Sequence, residues 1–120
     1  MSARVTLSAG EARALDARFQ RFHLPEPVWL PEGALATSVI VGRVDGRVRA
    51  YANVCRHYPF PLDQGGSGVM SPDGQLLLCH THGALYRPDD GLCLEGPCEG
   101  ARLFEARVED AGDGLVVILG

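Results

Sequence analysis

Two short cysteine–histidine pairs constrain this chain more than any other feature. Cys55 is followed two places on by His57, and Cys79 three places on by His82. Together they offer two thiolates and two imidazoles to one centre, so two loops separated by a stretch of 21 residues must become neighbours. Each pair mixes a soft sulfur donor with a nitrogen donor, whereas structural zinc sites usually place two thiolates in one pair. A tetrahedral zinc site remains open on donor count alone, because two cysteines and two histidines can always make one.

A [2Fe–2S] centre with both thiolates on one iron and both imidazoles on the other asks each loop to reach across both irons, which mixed pairs supply. Pro59 and Pro61 follow the first pair and Gly83 the second, as close backbone packing around a cluster requires. The run Asn53-Val54-Cys55-Arg56-His57, the run Cys79-His80-Thr81-His82-Gly83-Ala84-Leu85-Tyr86, the turn Asp90-Gly91 and the segment Glu95-Gly96-Pro97-Cys98 resemble the Rieske-type iron–sulfur proteins, in particular the small soluble Rieske ferredoxins. The resemblance covers roughly residues 35 to 119. It implies a mostly β fold, a Rieske-type antiparallel β-sandwich with a cluster-binding subdomain, while a short N-terminal helix is expected from residue spacing alone. It further implies Cys55 and Cys79 on the buried iron, His57 and His82 on the outer iron with ring edges toward solvent, and Pro97 in a loop closing over the cluster.

Departures from the family pattern carry information. The gap between the pairs is longer than in compact ferredoxins, which implies an extended loop or small hairpin around Gly65-Gly66-Ser67-Gly68. Relatives in cytochrome bc-type complexes bridge the two loops with a disulfide, but Phe60 and Thr81 stand where those cysteines would be. High-potential relatives place a serine two residues after the second histidine and a tyrosine four residues after it. This chain has Ala84 and Tyr86 there, so the resemblance implies a low to intermediate potential. The plainer reading of Tyr86 is a half-buried strand aromatic.

The length of 120 residues suits one domain with its own core, residues 1–34 forming an N-terminal extension and 53–100 the cluster-binding region. It leaves no room for a flavin or nicotinamide domain, and no Gly-x-Gly-x-x-Gly stands between a strand and a helix, which favours a carrier over a catalyst. A net charge of −4 argues against nucleic acid, whose phosphates ask for a basic face. No apolar run approaches a membrane span and the first ten residues lack a signal-like core, so a cytoplasmic location with reduced thiols is expected. All eleven basic residues are arginine, which hints at a GC-rich bacterial genome.

Alternation and turn dipeptides place a hairpin over Thr37 to Val54 about Asp45-Gly46, a strand from Gln75 to Cys79, strands either side of Asp89-Asp90-Gly91, and a closing hairpin about Asp113-Gly114. Ser8 and Glu11 have capping-box spacing. Leu15, Phe19 and Phe22 at i, i+4 and i+7 then predict one amphipathic helix over residues 9 to 22, ended by Pro25, Pro27 and Pro31 with Val28-Trp29-Leu30 as an edge strand. His80 should point away from its neighbour Cys79, and His23 has no partner in sequence. Cys93 and Cys98 are close enough in sequence to pair but are expected as buried thiols, while Asp89, Asp90, Glu95 and Glu99 read as a solvated rim.

Three functions compete at this level. The first is one-electron transfer by a ferredoxin between a flavin reductase and a terminal oxygenase or reductase. The second is a Rieske-type small subunit of a nitrite-reductase-like enzyme. The third is a zinc-stabilised interaction module.

Overall fold

The computed structural model describes residues 2–56, 60–63, 68–81 and 83–120. Nine strands appear among them: β1 (Ala3–Leu7), β2 (Gln20–Trp29), β3 (Leu35–Val44), β4 (Arg47–Ala52), β5 (Leu77–Leu78), β6 (Leu85–Tyr86), β7 (Cys93–Glu95), β8 (Arg107–Ala111) and β9 (Gly114–Leu119). They form three antiparallel sheets in the orders β1-β9-β8, β2-β3-β4 and β5-β6-β7. The fold is mostly β, as the sequence implied. Among the described residues no helix is long and apolar enough to cross a membrane.

Strand β3 explains how the sheets share their cores. Ser38 through Gly42 is buried without a break, the signature of a strand covered on both faces. Alternate side chains then part company. Val39, Val41, Ala50 and Ala52 join Val5, Leu7, Val117 and Leu119 in one core, between the first two sheets. Ile40 and Tyr51 face the other way, into a second core with Leu62, Leu77, Tyr86 and all four cysteines. The β2-β3-β4 sheet thus serves as base plate for the smaller β5-β6-β7 sheet, and Tyr51 Oη donates across to the Pro88 carbonyl at 2.7 Å.

The hairpin about Asp45-Gly46 forms where the sequence placed it, pairing Val44 with Arg47. Both turn residues take positive φ, at 50° and 80°, the conformation that matches the twist of the flanking strands. The closing hairpin is displaced by one residue from expectation. Its turn residues are Gly112 and Asp113, while Gly114 already pairs with Ala111 in β9. Contact decides this: a Cβ on Gly114 would lie 2.0 Å from the Leu7 carbonyl oxygen, so glycine is spent on close strand approach rather than on the turn.

The helix over residues 9 to 22 is corrected to α1 (Ala9–Arg13). Its capping box is present, Ser8 Oγ accepting from Glu11 N at 3.1 Å and Glu11 Oε1 from Ser8 N at 2.8 Å. What ends it is tertiary. Arg43 takes the Asp16 carbonyl with its backbone N–H at 2.8 Å and the Ala12 carbonyl with its guanidinium at 3.1 Å. Leu15 and Phe22 then pack in the first core and Phe19 in the second, so their helical spacing does not describe one face. Phe22 already lies in β2, which runs along the sheet edge as far as Trp29 and shifts register between His23 and Val28, where Pro25 and Pro27 interrupt pairing.

Candidate metal centre

The two cysteine loops are built alike. Cys55 N donates to the Phe60 carbonyl at 2.8 Å, and Cys79 N donates to the Ala84 carbonyl at 2.9 Å. In each case the bond closes a loop over the carbonyl five residues on; the sequence of the first loop contains His57, and that of the second His80 and His82. Gly83, with φ of 74°, turns the second loop, and its N–H returns to the Cys79 carbonyl at 2.9 Å. A further bond from His80 N to the Leu62 carbonyl at 3.0 Å ties the loops together. Both cysteines are buried in the second core, while the His80 side chain is exposed. His57 and His82 lie outside the described residues, as do Pro59, Gly65, Gly66 and Ser67.

A buried polar network anchors the first loop. Asn53, 1% exposed, donates to Ser38 Oγ at 3.1 Å and to Asp63 Oδ1 at 2.9 Å, and accepts from Leu62 N at 2.9 Å. Arg21 reaches Asp63 at 3.0 Å, so the buried carboxylate has a cation. Arg56, between Cys55 and His57, is held by Glu32 and the Arg102 carbonyl, and its guanidinium lies 4.3 Å above the Phe104 ring. None of these partners is near its target in sequence, and only the apposition of β2, β3 and the loops reveals them.

Tyr86 is fully buried rather than half-buried, and its hydroxyl is the meeting point of the site. It accepts from Arg56 N at 3.0 Å and lies 3.4 Å from Cys55 Sγ and 3.1 Å from Cys98 Sγ. Burial holds the phenol protonated, raising its pKa well above the usual range, and the neighbouring sulfurs add to that. Cys93 and Cys98 are thiols, their sulfurs 3.1 Å apart, and Cys93 Sγ also donates to the Glu95 carbonyl at 3.3 Å. Burial pushes the Cys93 thiol up to about 12. The contact of Cys98 with Tyr86 was invisible in the sequence, although the Gly96-Pro97-Cys98 segment marked the loop that makes it.

That loop doubles back because Gly96, at φ 111°, sits where a Cβ would come within 2.9 Å of the Ala84 Cα. Pro97 is exposed on the turn that follows. The acidic rim is only partly a rim. Glu95 and Glu99 are exposed, but Asp90 accepts from Arg87 Nε at 3.0 Å and from Leu92 N at 3.1 Å, closing the β6–β7 turn. The Arg87 guanidinium, chiefly by hydrogen bonding, draws the Asp90 carboxyl down to about 2.

No curated protein sequence matches the chain. Among solved structures, the ferredoxin of carbazole 1,9a-dioxygenase from Nocardioides aromaticivorans IC177 matches at TM-score 0.64 and 20% identity, over 96% of each chain. A chain of the reduced complex between oxygenase and ferredoxin in carbazole 1,9a-dioxygenase matches at TM-score 0.67 and 16% identity, over 96% of this chain and 28% of that one. The terminal oxygenase of carbazole 1,9a-dioxygenase from Novosphingobium sp. KA1 gives 0.61 and 22%, over 98% of this chain and 30% of that one. This chain therefore spans under a third of the length of the latter two chains, and at such identities the likeness is one of fold. The sequence profile of the Rieske [2Fe-2S] domain matches residues 24–110. Because that span takes in both cysteine loops, the Tyr86 strand and the Gly96-Pro97-Cys98 turn, the chain belongs to the Rieske [2Fe–2S] domain family, whose domain binds a [2Fe–2S] cluster.

Proposed function

We propose that this chain is a one-electron carrier, a ferredoxin component that takes electrons from a flavin reductase and passes them to a terminal oxygenase or reductase in the cytoplasm. Residues 1–120 act as one domain in this reading, with 53–100 as its cluster-binding region. The observation that carries it is the pair of like-built loops, each closed five residues beyond its cysteine, with Tyr86 Oη against Cys55 Sγ. The donor set fits the cluster: two cysteines buried in one apolar core suit the inner iron, and His57 and His82, one from the sequence of each loop, suit the outer one. Cys55, Cys79, His57 and His82 are the assigned ligands.

The cluster, when bound, supplies reversible one-electron exchange at a potential raised by its neutral imidazole ligands. The chain's own residues do the rest. Asn53, Asp63 and Arg21 hold the first loop against the base plate, and Arg56 fixes the residue between the two ligands of that loop. Tyr86 places a neutral hydroxyl at Cys55, where it stabilises electron density on sulfur and tunes the potential. Gly83 and Pro97 shape the two turns that enclose the site.

Metal and sulfide analysis tests the reading. Two irons and two acid-labile sulfides per chain are expected, with the spectrum lost in His57→Ala and His82→Ala and kept in His80→Ala and His23→Ala. Stoichiometric zinc without labile sulfide would overturn it, and co-purification in fixed ratio with a larger catalytic subunit would replace the mobile carrier by a bound electron-transfer subunit.

A further inference from the structure

We propose that Cys93 and Cys98 form a reversible dithiol–disulfide site, oxidised by a hydroperoxide, whose state is transmitted through Tyr86 to Cys55. The inference rests on Cys55 being a cluster ligand, as assigned above. Three sulfurs and one hydroxyl lie in a row: Cys93 Sγ to Cys98 Sγ at 3.1 Å, Cys98 Sγ to Tyr86 Oη at 3.1 Å, and Tyr86 Oη to Cys55 Sγ at 3.4 Å.

The backbone brings the two thiols together without help from a bond between them. Cys93 N donates to the Ala101 carbonyl at 2.7 Å and Gly100 N to the Cys93 carbonyl at 3.0 Å, pinning both ends of the loop that holds Cys98. A disulfide needs its sulfurs roughly 2.05 Å apart, so closing the pair asks for a movement of about 1 Å. Access differs between them. Cys98 is 9% exposed and Cys93 1%, so the oxidant meets Cys98 first.

The step balances as follows. The Cys98 sulfur attacks one peroxide oxygen, the O–O bond breaks, and Cys98 becomes a sulfenic acid while the other oxygen leaves as water or alcohol. Cys93 sulfur then displaces the sulfenic oxygen, which departs as water carrying the remaining thiol proton. Two thiols are oxidised, one peroxide bond is reduced, and a small dithiol reverses the change.

The consequence at Tyr86 follows from one proton and two acceptors. The hydroxyl already accepts from Arg56 N, and its own proton can point at Cys55 or at Cys98. A disulfide sulfur has no proton to give and is a poorer acceptor than a thiol, so oxidation leaves the Tyr86 proton committed to Cys55. A hydrogen bond there favours the more electron-rich reduced cluster, and the potential rises.

The test uses the cluster-loaded protein treated with a small excess of hydrogen peroxide, with iron and sulfide counted in the same sample. Mass spectrometry after alkylation should map a Cys93–Cys98 disulfide, lost on treatment with dithiothreitol, and voltammetry should show a positive, reversible shift. Cys93→Ser should stop at a Cys98 sulfenic acid trapped by a 1,3-dione, and Cys98→Ser should show neither disulfide nor shift; Cys98→Ala serves if the serine variant does not fold. A loaded protein that forms no Cys93–Cys98 disulfide, forms one without a shift, or shifts equally as Cys98→Ser overturns this proposal alone. A chain carrying no cluster overturns it together with the electron-transfer reading.

Discussion

Replacing Tyr86 by phenylalanine removes one oxygen atom and leaves the ring, so its effects report the hydroxyl alone. Two are expected, and they separate. The first is on stability: Arg56 N loses an acceptor at 3.0 Å in a site where the ring is wholly buried, and an unsatisfied donor of this kind costs about 1–3 kcal/mol. For a domain near this size each kcal/mol lowers Tm by about 4 °C, so a drop of roughly 4–12 °C is expected. The second effect is on potential, and only the difference between oxidation states counts. The contact to Cys55 is 3.4 Å, and Cys98 competes for the same proton at the shorter distance of 3.1 Å. Taking the differential as about 1 kcal/mol, and about 59 mV for each 1.4 kcal/mol in a one-electron step, the potential should fall by about 40 mV. Film voltammetry and a thermal melt on the same preparation measure both. A lowered Tm with an unmoved potential would refute the tuning role and return Tyr86 to packing; an unchanged Tm would refute the accounting for Arg56 N.

Gly114→Ala, just past the closing turn, and Gly112→Ala, within it, should differ. The first drives a Cβ to 2.0 Å from the Leu7 carbonyl and should cost about 3 kcal/mol or more, whereas the second meets nothing within 4 Å and should cost about 1–2 kcal/mol for its φ of 77°. Urea midpoints compare them, and equal losses would contradict the close-approach argument. Asp90 supplies a pH dependence. Its folded pKa, about 2, lies below the ordinary 3.8, so the stability it contributes is complete above 3.8 and is lost as pH falls through 2. Asp90→Asn should flatten that part of the acid-unfolding curve, and a curve unchanged in slope there would show the pairing with Arg87 to be without effect on folding.

Local features were legible from the sequence where the physics is local. The Asp45-Gly46 hairpin depends on two residues that tolerate positive φ between alternating strands, and Ser8 with Glu11 satisfies the first turn of a helix within four residues. The helix end was not legible. Leu15, Phe19 and Phe22 carry a helical spacing, yet the second and third turns lose to Arg43, which claims carbonyls of residues 12 and 16 from a strand far along the chain. The Asp113-Gly114 dipeptide misled for a related reason, since glycine there answers a neighbouring backbone rather than a turn.

The candidate site divides the same way. The order of donors in Cys55-x-His57 and Cys79-x-x-His82 is a property of the chain, because ligand chemistry depends on residue type and short spacing. So is the absence of cysteine at Phe60 and Thr81, which rules out a disulfide between those two positions. What surrounds those donors belongs to the tertiary structure. Tyr86 meets Arg56, Cys55 and Cys98 only because β6 pairs with β7, the Gly96 turn folds over Ala84, and the β3–β4 hairpin delivers the first loop to the same place. Hydrogen bonds form over about 3 Å, and no pattern along a sequence measures that distance between strands that pair across tens of residues.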